Sequence, residues 1–498
     1  MTRDSSFTAA RVAVLGMAAL LGVVIAFVPW QVSVTLMIAA LAVLGLAAVR
    51  VSLRIDDTPT GSEVGPEPRS DPRLRLVRIV YYLGAASIGF LTVRPALGFT
   101  ASDWVFLLSL LLLVLAMTVH DAPRDYLVPS MITLGVVLFA AGGLVSTTNA
   151  VDAEASLLVV IRMLYLTLVW FWLGTVVLQT RAHVRNALVA WVCSAALSSG
   201  GAVAQFFYGD VIPGGSLAWG RMTGFTPTFN HLGGLAATAF VPALMLAVDS
   251  RRSSLRLVGA AATALIGAGL LLSGSVGGLL AASAATVFWL AVRGLSLQVV
   301  VGLGAVVGSA FVLMSATGVT NAPSPVERIS RVTSAEEAAA GTGGTFYTRL
   351  DGYGKAWSRI HEQPFVGVGL DDASSAKELG DPDVAHNIHS ILINPWFSAG
   401  VFGLVGMLLL LYGAFACGLT TLRLTSAQDR SLVAALLAGL LAFAIFAMGE
   451  PILFVRYGWF PTALLIAVRA QYIRAGLLER RRAPSRSSTI AYGSTGTS

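Results

Sequence analysis

Residues 389–417 read HSILINPWFSAGVFGLVGMLLLLYGAFAC, and this stretch decides the class of fold. It contains no Asp, Glu, Lys or Arg, and it is longer than the roughly 20 apolar residues that a helix needs to cross a bilayer. Comparable apolar segments recur from one end of the chain to the other. The sequence therefore predicts an all-α protein that crosses a membrane many times.

The overall composition supports the same prediction. Of the 498 residues, 56% are apolar and 12% are charged, whereas a typical soluble domain has about 25% charged residues. The net charge is +7, but the arginines lie at the ends of the apolar segments and form no patch of the kind that binds nucleic acid. The two cysteines, Cys193 and Cys417, lie in apolar segments and indicate neither a disulfide framework nor a metal centre.

Hydropathy predicts about fourteen membrane-spanning helices, within a range of twelve to fourteen. They lie near residues 9–28, 32–52, 76–96, 103–119, 127–147, 156–179, 185–207, 229–248, 257–272, 276–292, 297–316, 389–417, 431–449 and 456–471. The pair between 257 and 292 is joined by a turn of only Ser273–Ser275, which leaves a re-entrant pair open. The segment 54–75 is predicted to be disordered because it is poor in aromatic residues and lacks periodicity.

Arginine positions predict the orientation, because cytoplasmic loops of membrane proteins are rich in Lys and Arg. With the N-terminus inside, most arginines fall in cytoplasmic loops, and an even number of spans places both termini in the cytoplasm. The predicted organisation has four parts: 1–316, with spans 1–11 and an outer loop at 208–228; 317–388, a large extracytoplasmic loop domain between spans 11 and 12; 389–472, with spans 12–14; and 473–498, a disordered cytoplasmic tail.

Three blocks of sequence in or beside the predicted outer segments carry the candidate functional residues. A loop as long as 317–388 is more often functional than idle. The first block is RMTGFTPTFN, from Arg221 to Asn230, directly before a span. The second contains Arg349, Trp357, Pro364, Gly367 and Gly369, and the third contains His389, Ser390, Gly400 and Gly403.

Together, these blocks resemble the signature of the bacterial O-antigen ligase and O-antigen polymerase superfamily. The similarity covers about residues 220–406, and the spacing from His389 to Gly400 and Gly403 is its most specific part. Family members often carry Ser-Arg-Gly where this chain has Ser273-Gly-Ser275, so the chain departs from the pattern there.

The resemblance implies an inverting glycosyltransferase that acts on the outer face of the cytoplasmic membrane. The donor would be a glycan linked to polyprenyl diphosphate, and the acceptor would be a hydroxyl of another glycan, a lipid or a wall polymer. No nucleotide sugar, metal ion or other cofactor is implied. A neutral imidazole at His389 could remove the acceptor proton, while Arg221 and Arg349 could bind diphosphate oxygens bidentately and stabilise the leaving group.

Each histidine also has a simpler interpretation. A histidine at the membrane edge can be structural, and His386 offers a second candidate for the base. His386 and His389 could also hold zinc together with Asp381 or Asp383, although no third nitrogen or thiol ligand is evident.

The arginines have alternatives as well. Arg221 could be an anchor at the membrane interface, and Arg349 could be an ordinary surface charge. Arg162 lies inside a predicted span, where a charge is costly unless it is paired or near a cavity, and Glu450 is a candidate partner.

Two other classes of function would fit a polytopic protein. A flippase or transporter of lipid-linked oligosaccharide would also need arginines for the diphosphate, but the chain shows no internal repeat of the kind found in many transporters. A structural membrane scaffold would explain the hydropathy but not the three sequence blocks.

Overall fold

The computed structural model describes residues 71–94, 99–119, 125–209, 212, 217–218, 220–294, 334, 345–379 and 388–482. The predicted spans 9–28, 32–52 and 297–316 lie outside these residues. The same holds for nearly all of the predicted disordered segment and for the chain after residue 482.

Almost all of the described chain is helical. The helices are α1 (Arg75–Ser87), α2 (Ala101–Val119), α3 (Ser130–Ser146), α4 (Ala153–Leu164), α5 (Trp170–Val177), α6 (Arg181–Tyr208), α7 (Phe229–Asp249), α8 (Ser253–Ser273), α9 (Val276–Val292), α10 (Thr345–Glu362), α11 (Asp372–Leu379), α12 (Ile393–Leu424), α13 (Ala427–Ala447) and α14 (Arg456–Arg482). A π-helical turn, Tyr165–Val169, joins α4 to α5. Two short strands, β1 (Leu217–Ala218) and β2 (Arg221–Met222), pair in an antiparallel manner.

Seven helical segments in the described part of the chain are long and apolar enough to cross a membrane. They are Ala101–Thr118, Ala153–Val177, Arg181–Tyr208, Phe229–Asp249, Ser253–Ser273, Ile393–Leu424 and Asp429–Ala447. Two shorter apolar helices are Ser130–Ser146 and Val276–Val292. The protein is thus an all-α, multi-pass membrane protein, as predicted, while the figure of fourteen spans stays a prediction.

The first described helix is shorter than its predicted span, 76–96. α1 ends at Ser87, and the chain continues through turns. The backbone N–H of Gly89 donates to Ser194 Oγ at 2.7 Å, and the N–H of Thr92 donates to the carbonyl of Phe225 at 3.2 Å. These contacts with distant residues replace helical hydrogen bonds, so apolar composition alone overestimated the length of the helix.

The last helix, in contrast, is longer than predicted. The predicted span ended at residue 471 and the predicted disordered tail began at residue 473, whereas α14 continues to Arg482. Residues 473–482 are therefore helical, because the helix continues beyond its apolar part. Every residue from 459 to 468 is buried, because α14 packs against α5, α12 and α13. This helix therefore lies inside the bundle, where its neighbours, rather than lipid, cover its surface.

α12 is interrupted at Gly400, which has φ 65° and ψ −166°. The segment from Pro364 to Gly369 crosses the helix at this break. The N–H of Val401 donates to the carbonyl of Pro364 at 3.1 Å, and the N–H of Gly369 donates to the carbonyl of Ser398 at 3.1 Å. The first seven residues of α12 are thereby held as a separate short helix that follows His389.

Glycine is required on both sides of this crossing. A Cβ on Gly400 would overlap the carbonyl of Phe365, and a Cβ on Gly367 would overlap the backbone of Ser398. Gly400, Gly403 and Gly406 follow one another at three-residue steps, and this spacing by itself predicts that they share one helix face suited to close packing. Gly406 does pack closely on α3, where a Cβ would overlap Phe139, but Gly400 instead breaks the helix because its φ is positive.

Candidate functional site

The predicted residues Arg349 and His389 meet at Glu450, which lies in the short connection between α13 and α14. Nη2 of Arg349 donates to Oε1 of Glu450 at 2.6 Å. Nδ1 of His389 lies 3.6 Å from Oε2 of the same carboxylate. The Glu450 side chain is only 10% exposed, so a cation and an imidazole share one nearly buried negative charge.

Arg221 joins this cluster through Asn230. Its Nη2 donates to Oδ1 of Asn230 at 3.0 Å, and Nδ2 of Asn230 donates to Oε1 of Glu450 at 2.8 Å. Its Nε donates to the carbonyl of Ser273 at 2.7 Å, and its guanidinium carbon lies 3.3 Å from the ring centroid of Phe229. The structure therefore brings all three sequence-predicted residues together, with Arg221 linked indirectly to the other two.

The block that carries Arg221 is fixed by buried contacts with α6. Oε1 of Gln205, a residue that is 1% exposed, accepts hydrogen bonds from the N–H groups of Thr223 and Gly224 at 3.1 and 2.8 Å. Thr228 then caps α7, since its hydroxyl accepts from the N–H of His231 at 3.2 Å. The chain from β2 to the first turn of α7 is thus a rigid support for the arginine and asparagine side chains.

α10 positions Arg349 and also holds the backbone at His389. Tyr353 is four residues after Arg349 and so lies on the same helix face. Its hydroxyl donates to the carbonyl of His389 and, at 3.4 Å, to the carbonyl of Met448. Burial raises the pKa of Tyr353 to about 12, so the hydroxyl keeps its proton and can donate at neutral pH.

His389 lies in the loop before α12. We predicted that the span begins at residue 389, a position at which His389 would feel the positive end of the helix dipole. The helix instead begins at Ile393, and Ser390 Oγ accepts from the N–H of Ile393 at 3.3 Å. The charged neighbour of the imidazole is the carboxylate of Glu450, which favours a proton on Nδ1 and leaves Nε2 as the acceptor.

The carboxylate itself stays ionised. Burial would raise the pKa of Glu450, but His389, Arg349 and His231 together outweigh burial and hold that pKa below its ordinary value. Because Arg349 and Asn230 both bind Oε1, Oε2 remains for His389. The separation of 3.6 Å is longer than a hydrogen bond, and such contacts in enzymes often shorten when substrate binds.

A cavity of about 260 Å³ opens beside this cluster. Its polar walls are Thr228, Asn230, His231, His389 and Glu450. Arg221 and Arg349 are not among the lining residues, although both are bonded to residues that are. A small ligand in the cavity would contact the imidazole of His389 directly.

Sequence reasoning missed the central role of Glu450. We had considered it only as a partner for Arg162, whose guanidinium carbon lies 5.3 and 5.7 Å from the ring centroids of Phe99 and Phe454. One signal could have identified it. Glu450 is the only acidic residue between Asp429 and Glu479. A carboxylate isolated between two apolar segments is energetically costly unless a cation or hydrogen-bond donor pairs with it.

A second buried ion pair joins Arg456 to Asp103. Nη2 of Arg456 lies 2.5 Å from Oδ2 of Asp103, and the two side chains are 8% and 2% exposed. The hydroxyl of Thr100 also donates to Oδ2, at 3.0 Å. This pair links the start of α2 to the start of α14. It thereby fixes the first turn of the helix that follows the connection containing Glu450.

The described residues contain no group of three or more His, Cys, Asp or Glu side chains placed to hold a metal ion. His386, Asp381 and Asp383, the other members of the zinc site weighed from sequence, lie outside the residues that the structure describes. The position of His389 beside Glu450 supports His389 as the base. The preference for His389 over His386 stays a prediction.

Comparison of the sequence with known protein families gives a match for one region of the chain. Residues 261–408 match a family described as O-antigen ligase. The matched region includes Arg349 and His389, whereas Arg221, Asn230 and Glu450 lie outside it. No curated protein matches the chain significantly. The family match confirms the resemblance to the O-antigen ligase and polymerase superfamily.

Proposed function

We propose that this membrane protein is a glycosyltransferase of the O-antigen ligase type. It would move a glycan from a polyprenyl-diphosphate carrier to an acceptor hydroxyl, with inversion at the transferred sugar. The observation that carries the proposal is the meeting of Arg349, His389 and, through Asn230, Arg221 at the carboxylate of Glu450, beside a cavity.

The arginines supply the positive charge that a diphosphate leaving group needs. Among the described residues, Arg349 bonds only to Glu450 and only through Nη2, which leaves its other N–H donors for phosphate oxygens. Arg221 is held in one plane by Ser273 and the ring of Phe229. A planar guanidinium binds two phosphate oxygens at once, and fixed cations stabilise the charge that develops as the bond to the diphosphate breaks.

His389 would act as the general base. The acceptor hydroxyl gives its proton to Nε2, and its oxygen attacks the anomeric carbon of the donor sugar. The bond from that carbon to the diphosphate oxygen breaks, and the electron pair leaves with the polyprenyl diphosphate. The resulting imidazolium is stabilised by Glu450, the carboxylate next to Nδ1.

The site would face the extracytoplasmic side. It forms where α7, α12 and α14 begin and where α13 ends. At the opposite end of α7, Asp249 pairs with Arg293 at 2.8 Å and accepts a hydrogen bond from Ser431. Arg251, Arg252 and Arg256 follow that end closely in sequence, and Arg430 directly precedes Ser431, as expected for the cytoplasmic side. This arrangement supports the orientation predicted from sequence.

The proposal is tested with the purified full-length protein in lipid nanodiscs. The donor is the glycolipid fraction extracted from membranes of the source cells, and the reaction is run with and without EDTA. We expect a new glycosidic bond and released polyprenyl diphosphate under both conditions. Movement of the glycolipid across proteoliposomes without bond formation would favour the flippase alternative, and strict dependence on a divalent ion would contradict the role of the arginines.

A further inference from the structure

A second histidine, His231, lines the same cavity as His389. It lies in the first turn of α7, directly after Asn230, and is half-buried. Its Nδ1 is 3.3 Å from the hydroxyl of Tyr457, a side chain with no exposure. The proposed reaction assigns no role to either residue.

The contact with Tyr457 determines which ring nitrogen of His231 carries the proton. In the part of the chain that the structure describes, Nδ1 of His231 is the one hydrogen-bond partner of the Tyr457 hydroxyl. A buried hydroxyl must donate its hydrogen to avoid an unsatisfied donor. Nδ1 of His231 therefore accepts, and the proton of the neutral ring is on Nε2.

The two imidazoles of the cavity thus offer complementary groups to a ligand. Nε2 of His389 is an acceptor, because Glu450 favours the proton on Nδ1. Nε2 of His231 is a donor, because Tyr457 occupies Nδ1. One ring can take a proton from a hydroxyl group, and the other can hold a hydroxyl oxygen in place.

The walls of the cavity suit a neutral ligand better than an anion. Among the described residues that line the cavity there is no arginine or lysine, whereas the carboxylate of Glu450 is one of its walls, so an anion there would meet a like charge. The remaining walls are apolar: Pro227, Phe229, Phe446, Pro451 and Ile452. At about 260 Å³, the cavity is smaller than the roughly 300–1,000 Å³ of sites for drug-sized ligands, which suits a ligand the size of one sugar residue.

We infer that this cavity is the acceptor subsite, that it takes a neutral sugar residue, and that Nε2–H of His231 donates to a hydroxyl oxygen of that sugar. The inference rests on the proposed function and deepens it, since it separates the acceptor cavity from the arginines that would bind the diphosphate. The reacting hydroxyl then lies at His389, and a neighbouring hydroxyl is held by His231.

The test measures binding to the full-length protein in nanodiscs by saturation-transfer difference NMR. The probes are methyl glycosides of neutral hexoses, deoxyhexoses and N-acetylhexosamines, a methyl uronate, and inorganic pyrophosphate. We expect at least one neutral glycoside to bind, and His231→Ala and Tyr457→Phe to weaken it by about fivefold or more, as for the loss of one hydrogen bond. Pyrophosphate binding should be unchanged in both variants.

His361→Ala is the matched control, because His361 is an exposed histidine on α10 outside the cavity. It should bind every probe like the wild type. Tyr457→Phe keeps the imidazole and removes only the hydroxyl that fixes its tautomer, so it still tests the inference if His231→Ala fails to fold. In a transfer assay, both variants should raise KM for the acceptor and leave KM for the donor unchanged.

Several results would overturn the inference: no saturable binding of any neutral glycoside to the wild type, preferred binding of the uronate, or weaker pyrophosphate binding in His231→Ala. Unchanged glycoside binding in both cavity variants would overturn it as well. Because glycoside binding requires no transfer, a wild type that binds sugars but forms no glycosidic bond would refute the proposed function and leave the sugar subsite standing.

Discussion

Nδ1 of His389 lies 3.6 Å from Oε2 of Glu450, while Oε1 of the same carboxylate accepts hydrogen bonds from Arg349 and Asn230. One nearly buried carboxylate thus orients both the proposed base and a proposed diphosphate-binding arginine. Loss of its charge should disturb proton transfer and leaving-group stabilisation together.

Replacing Glu450 by Gln should lower the rate of glycosyl transfer by about 100-fold or more, because an amide cannot stabilise the imidazolium or fix its tautomer. The measurement is initial rate at saturating donor. Asp351→Asn makes the same chemical change at an exposed carboxylate on α10 and should leave the rate unaltered. If Glu450→Gln retains more than about a tenth of the wild-type rate, the carboxylate does not support the base.

Replacing Arg349 or Arg221 by Lys should impair transfer even though the charge is kept. An ammonium is a point charge and cannot reproduce the planar contact with two phosphate oxygens. We expect a higher KM for the lipid-linked donor or a lower kcat, with KM for the acceptor unchanged. Arg251→Lys, at an exposed position before α8, is the control. Wild-type kinetics in both site variants would show that neither arginine contacts the diphosphate.

Gly400→Ala should destabilise the protein and reduce transfer, although position 400 lies outside the cavity. Its φ of 65° and the nearby carbonyl of Phe365 both disfavour a Cβ, and such backbone strain costs on the order of 1–3 kcal/mol. The readout is the thermal unfolding midpoint in nanodiscs. Gly200→Ala, in α6 with open space around its Cβ, should not lower that midpoint. Equal midpoints for the two variants would contradict a strained crossing at Gly400.

Orientation is tested by cysteine labelling in a background that lacks Cys193 and Cys417. A cysteine at Ser334 should react with an impermeant maleimide on intact cells, whereas one at Ser253, at the start of α8, should react only after the cells are opened. The opposite pattern would place the site on the cytoplasmic face, where a flipped lipid-linked glycan is not accessible.

The sequence predicted the candidate site better through its local blocks than through its long-range contacts. His389, Arg221 and Arg349 were identified from the resemblance of their blocks to a known family, together with residue type and loop position, and the structure brings them together. Glu450 was missed as the centre because its partners are 220 and 101 residues away along the chain. No periodicity or spacing rule relates residues at such distances.

The same inability to predict long-range contacts explains why the predicted helix breaks and helix ends were wrong. Glycines three residues apart fit a packing face, and only the crossing of Pro364–Gly369 reveals that Gly400 must take a positive φ. Hydropathy identified the segments long enough to cross a membrane, but it could not show that α14 continues to Arg482 or that other helices cover its residues 459–468. Element type followed from composition, whereas breaks and ends depended on tertiary contacts.

The central claim is that His389 is the base of a glycosyl transfer, and the rate of transfer by His389→Ala tests it most directly. The account predicts a loss of at least about 100-fold, with expression, membrane insertion and unfolding midpoint like the wild type, and a milder effect for His386→Ala. A His389→Ala protein that retains more than about a tenth of the wild-type rate, or a larger loss in His386→Ala, would contradict it.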